Sequence, residues 1–243
     1  MRHRGKRLKG SKLASIRQIN KNKRIQQILS AAEHLILQQG STDFSMDELA
    51  KQAGLSMKTC YNLIGSKSRI IFNLLSSALA SIDKQASLLT DETDLLSVIQ
   101  LSEIPVGVFT SLPNFHRPLL RHLLAAENAE ERPLFMERAY RFWLRCLLPF
   151  EKTMTEGLNS SALAMHLHTY FAGALDLWVQ GEITPDEFRQ HLRSAVSIAL
   201  LPHTSGNDKA KLLAHIESFN IFAKNYEKTM NDETDRETDE PAR

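Results

Sequence analysis

The sequence predicts an all-α fold: an N-terminal three-helix domain containing a helix-turn-helix, joined by a long helix to a larger helical body. Three observations carry this prediction. Apolar residues recur at helical spacing through most of the 243 residues, with no alternating β-branched run of the kind a strand needs. Helix starts and stops are written into the chain, by Ser45 with Glu48, by Ser56, by Thr184-Pro185-Asp186-Glu187, and by Gly40 and Gly54. The charge is also split. Residues 1–69 hold 14 Lys or Arg against 4 Asp or Glu, a net of +10, whereas the remainder holds 16 against 24, a net of −8. A basic end beside an acidic body implies that the first part alone meets a polyanion.

Residues 1–20 carry Arg2, Arg4, Lys6, Arg7, Lys9, Lys12 and Arg17, and no acid appears before Glu33. This composition predicts a flexible basic arm that follows phosphates or enters a minor groove; a solubilising tail is the other reading. No long apolar segment accompanies it, so neither a signal peptide nor a membrane anchor is expected. Residues 21–70 form the expected DNA-binding domain. Its first helix is marked by Ile25, Ile28, Leu29, Ala32, Leu35 and Ile36 on one face, and Gly40 ends it.

Residues 45–67 organise the chain. Ser45 and Glu48 make a capping box, so a helix starts at Met46 with Met46, Leu49, Ala50 and Ala53 on one face. Gly54 supplies the left-handed stop, and Ser56 caps a second short helix from Met57. Two short helices on a glycine turn form a helix-turn-helix, whose second helix can enter a major groove. Cys60 and Ile64 lie one turn apart and point inward. Met57, Lys58, Thr59, Tyr61 and Asn62 are left to face outward, with the mixed chemistry of a reading surface.

Ser66 caps a linking helix to about Leu89, with Ile70, Ile71, Leu74, Leu75, Ala78, Leu79 and Ile82 buried. Further helices are predicted at 94–110 (disturbed at Pro105), 115–128, 132–156 (disturbed at Pro149), 159–180, 185–200 and 207–227. Residues 71–228 thus form the body. From Thr229 onward six acids, two Arg and no apolar period predict a disordered tail over 229–243.

These residues resemble the TetR family of bacterial transcriptional regulators. The likeness covers roughly residues 24–75: IQQILSAAEHLILQQG for the first helix, then FSMDELAKQAGLSMKTCYNLIGSK. The chain departs from the family where His-Phe is usual, at Leu63 and Ile64, and at Lys58, where Gly or Pro is commoner. No operator sequence is therefore carried over. The resemblance implies DNA contacts from Ser45, Ser56, Met57, Lys58, Thr59, Tyr61, Asn62 and Lys67. It also implies an effector pocket in the aromatic-rich stretch 109–154, with Phe109, Phe115, His122, Phe135, Tyr140 and Trp143 as candidate lining. A dimer contact through the two penultimate long helices of the family fold would use Leu163, Tyr170, Ala174, Trp178, Leu192 and Val196. The helix at 159–180 is apolar nearly all round, with Ala162, Met165, Ala172, Gly173 and Leu177 on its other side, which by itself calls for burial on both faces.

The expected function is a homodimeric, sequence-specific DNA-binding regulator. It would repress from an inverted-repeat operator and be released by a small hydrophobic or amphipathic effector. The alternative is a ligand-independent architectural or adaptor protein on the same fold. No cofactor and no enzymatic activity are expected. His166 and His168 are two apart on a helix, His116 and His122 six apart, and neither spacing chelates one metal. The two cysteines, Cys60 and Cys146, suit a reducing, cytoplasmic setting. Cys60 is read as a small buried apolar residue, with redox control of DNA binding as the lesser reading.

Overall fold

A computed structural model describes residues 4–89, 94–125, 130–154 and 159–238, and within them every regular element is helical. In order these are α1 (Arg4–Gln39), α2 (Met46–Ala53), α3 (Met57–Ile64), α4 (Lys67–Ser87), α5 (Ser97–Thr110), α6 (Pro113–Leu124) and α7 (Glu131–Leu147). A 3-10 turn (Leu148–Thr153) follows, then α8 (Ser160–Gln180), α9 (Pro185–Leu200), a short 3-10 turn (Leu201–His203) and α10 (Gly206–Thr238).

The local signals act as the residues dictate. Ser45 and Glu48 bond reciprocally at the start of α2, and Thr184 and Glu187 do the same for α9. Pro185 occupies the first helical position, where no backbone donor is needed. Pro149 ends α7 early, so its last turn becomes 3-10, while Pro105 is accommodated inside α5. Two expectations differ. Residues 4–20, expected as a flexible arm, continue α1 backwards as helix, and 229–238, expected as a disordered tail, prolong α10. Neither stretch contains Pro, and Lys, Arg and Glu are good helix formers; Gly5 and Gly10 cost only about 1 kcal/mol each. Residues 1–3 and 239–243 lie outside the described residues.

The chain divides into two units. The first comprises residues 1–81 and 109–136, the second residues 82–108 and 137–243. In the first, α1 packs against α2, α3 and α6 around Ile28, Ala32, Ile36, Phe44, Leu49, Ile70, Leu75, Leu119 and Leu120. The sequence reading closes this domain at residue 70; α6 extends it, because its buried Leu119, Leu120 and Leu123 complete the apolar face of the head from far along the chain. In the second unit α8 packs on α9, and α10 on α9 in turn. Trp143, Phe171, Phe188 and Trp178 run through its core as a series of ring contacts, with Trp178 stacked on Phe188 at 6.0 Å. Asp83 holds both Arg138 and Arg145 at one side of this core.

Candidate nucleic-acid interface

The head is built by short-range hydrogen bonds. The Glu48 amide donates to Ser45 Oγ at 3.1 Å, and the Ser45 amide donates to Glu48 Oε2 at 2.6 Å. That backbone donation from Ser45 lowers the Glu48 carboxyl below its usual range. Gly54 then turns the chain at φ 65°, a left-handed conformation in which a Cβ is strained, and Leu55 N–H returns to the Ala50 carbonyl. Ser56 Oγ accepts from the Thr59 amide at 3.2 Å and meets Thr59 Oγ1 at 2.8 Å.

This scaffolding fixes which side of α3 faces out. Cys60 and Ile64 are buried against the head's core, and burial raises the Cys60 thiol pKa, which disfavours the reactive thiolate. Met57, Lys58, Tyr61 and Asn62 are exposed, with Met57 and Tyr61 at 47% and 49%. Two large apolar or aromatic side chains this open, on an eight-residue helix beside a lysine and an amide, form a surface suited to base edges and sugar-phosphate. The hydroxyls of Ser45, Ser56 and Thr59 are engaged in the caps, so backbone groups and the Thr59 methyl are what these residues offer a duplex.

Lys67 opens α4 with its Nζ 5.1 Å from the centre of the Phe44 ring. Phe44 is 1% exposed. The sequence reading does not single it out, since the one sign it gives is an apolar residue just before a cap. A cation over an aromatic face is held in place while its outer N–H groups stay free to donate. Ser66 Oγ accepts the Arg69 amide at 3.2 Å, completing the start of α4.

The six candidate effector residues fall in both units. In the first, Phe109 and Phe115 flank the His116 ring, whose Nδ1 donates to the Phe109 carbonyl at 2.9 Å; Phe135 is buried. His122, expected in a pocket, has Nε2 3.2 Å from Ser68 Oγ in the first turn of α4. The polar end of His122 therefore serves the head. In the second unit Tyr140 meets His168 edge to face at 6.2 Å, and Trp143 is buried between Phe142 and Phe171. Among the described residues no cluster of three His, Cys, Asp or Glu could hold a metal, and no helix is long and apolar enough to cross a membrane.

Solved structures share this arrangement of helices. NalD, the secondary repressor of the MexAB-OprM multidrug efflux pump in Pseudomonas aeruginosa, superposes with a TM-score of 0.55 at 19% identity over 74% of this chain and 96% of its own. A TetR-family transcriptional regulator of Syntrophomonas wolfei gives 0.61 at 21% identity, with the same coverage. SmeT, repressor of the Stenotrophomonas maltophilia efflux pump SmeDEF, gives 0.57 at 16% identity over 76% and 92%. The chain has the TetR-regulator fold.

No protein-family model and no curated protein sequence matches the chain, so the TetR likeness is one of architecture. Burial within the protomer bears on the face named for dimer contact. Leu163, Ala174, Trp178, Leu192 and Val196 are all buried within the protomer's own core, and of the six only Tyr170 is exposed, at 39%. The open side of α8 is the other one, with Ala162, Met165 (51% exposed), Thr169 and Gly173, and on α9 Ile198 is 56% exposed. Because α8 is apolar on both sides, its sequence leaves the choice of inner face to the neighbouring helices.

Proposed function

We propose that this chain is a homodimeric, sequence-specific DNA-binding transcriptional regulator that represses from an inverted-repeat operator and is released by a small hydrophobic or amphipathic effector. The observation that carries the proposal is the outward face of α3: Met57, Lys58, Tyr61 and Asn62 stand free while Cys60 and Ile64 lock the helix to the head. In this reading Lys58 and Asn62 read base edges, while Tyr61 and Lys67 take phosphates, Lys67 with help from the amino end of α4. Two heads joined by a dimer contact through the open side of α8 and α9 would engage half-sites about 34–36 Å apart, or a multiple of that distance. Effector binding in the body would act through α4, which runs from residues of the first unit into the second. NalD and SmeT are both repressors, which agrees with this reading.

The experiment is selection of binding sites from random duplex DNA with the full chain, followed by sedimentation of the complex. A recovered inverted repeat bound by two chains is the expected result. A monomer at micromolar concentration on and off DNA, or recovery of no shared sequence, would refute the proposal.

A further inference from the structure

The sequence places its ligand expectation in 109–154, yet a well-defined apolar cavity stands elsewhere in the second unit. It measures about 250 Å³ and is lined by Leu177 of α8, Glu182 and Ile183 of the following turn, His191 of α9, and Phe219, Phe222 and Ala223 of α10. Five of these seven residues are apolar. The aromatic wall is ordered by ring contacts: His191 meets Phe219 edge to face at 4.9 Å and Phe222 at 5.9 Å, and the two phenylalanines lie 5.5 Å apart. Tyr170 Oη bonds His191 Nδ1 at 2.9 Å, which sets the ring's orientation.

We infer that this cavity is a binding site for a small amphipathic organic cation, whose apolar body lies against Phe219, Phe222, Leu177 and Ile183 and whose charge faces Glu182. Size and charge both lead there. Drug-sized sites span roughly 300–1,000 Å³, so this cavity suits a ligand of a single ring system. Among the lining residues Glu182 carries the one formal charge, because burial lowers the His191 pKa and keeps the imidazole neutral at pH 7. A carboxylate ligand would meet repulsion from Glu182, and no lining residue supplies a cation to offset it. An ammonium gains both that carboxylate and the faces of two phenyl rings, an arrangement that attracts cations. The net −8 of residues 70–243 favours the same sign of ligand at longer range. The site lies on α8, α9 and α10, distinct from the aromatic stretch 109–154, and does not depend on the regulator reading.

Benzyltrimethylammonium and its uncharged isostere neopentylbenzene test the site, by ligand-observed NMR titration of the full chain without DNA. The expected Kd for the cation is on the order of 0.1–1 mM. Glu182→Gln should weaken the cation by about threefold, as for an exposed ion pair, and leave the neutral probe unchanged. Ala223→Phe, which fills the cavity, should abolish binding of both; Leu177→Phe does the same from α8 should the first variant fail to fold. No saturable binding of the cation to the wild-type chain would overturn the proposal. So would a cation affinity indifferent to Glu182→Gln or to the folded filling variant.

Discussion

In α3 two side chains are buried, Cys60 and Ile64, and the open side carries a lysine, an amide, a phenol and a thioether. In α8 ten of the 21 residues are buried, yet Ala162, Met165 and Gly173 remain exposed on the far side. Each helix must bury one face. Polar contrast in α3 labels that face, whereas in α8 both candidate faces are apolar and only the packing of α7 and α9 on one of them distinguishes inside from outside. An amphipathic helix announces its orientation; an apolar one has it assigned.

The largest expected effect probes α8. Trp178→Ala should cost about 3–5 kcal/mol of unfolding free energy in urea, because a fully buried indole stacked on Phe188 is removed. Met165→Ala, on the open side, should stay within about 0.5 kcal/mol of wild type for the protomer fold. A larger cost for Met165→Ala than for Trp178→Ala would reverse the assignment of the two faces.

The next effect sharpens the reading of α3. Lys58→Ala and Asn62→Ala should each reduce discrimination between specific and random DNA by about 1–3 kcal/mol. Lys67→Ala should weaken both kinds of DNA by similar factors and flatten the plot of log affinity against log salt by about 0.9 for each phosphate it no longer neutralises. Fluorescence anisotropy across a salt series reads all three. A change of site preference in Lys67→Ala, with nonspecific affinity intact, would contradict its placement over Phe44 as a phosphate-binding group.

A smaller effect tests the turn that presents α3. Gly54 has φ 65° and open space where a Cβ would stand, so the cost of Gly54→Ala is purely conformational, about 1–2 kcal/mol. Thermal or urea unfolding should show this destabilisation without a change in site preference. A neutral or stabilising result would mean that the turn does not hold the left-handed conformation.

The smallest is a dependence on pH. Burial lowers the pKa of His116, of His168 and of His191, so each takes up a proton more readily when the chain is unfolded. Their neutral forms thus contribute stability in full above the unfolded value near 6.5, and that contribution is lost as pH falls below it. The lowered Glu48 and Glu151 carboxyls act only in the acid range, below 4.5, outside this window. The urea midpoint should therefore fall between about pH 7.5 and about pH 5.5, and His116→Gln should reduce the fall. A higher midpoint at the lower pH would mean that these rings are not held neutral by the fold.

Caps and turns, which depend on near neighbours, were legible in the amino acids themselves. The starts at Met46, Met57 and Pro185 and the turn at Gly54 are of this kind, since a cap or a left-handed turn involves groups within five positions of one another. The outward set on α3 follows from polar contrast within one helix. The helix through 4–20 and 229–238 runs against the expectation of disorder, because a charged composition without an apolar period still contains nothing that breaks a helix. Pairings between distant residues, by contrast, came only with the folded chain. Those are His122 with Ser68, Lys67 over Phe44, the addition of α6 to the head, the inner face of α8, and the cavity that α10 closes against His191. Each joins groups whose meeting depends on how apolar faces pack across separate helices, and an apolar side chain carries no mark of which partner it will meet.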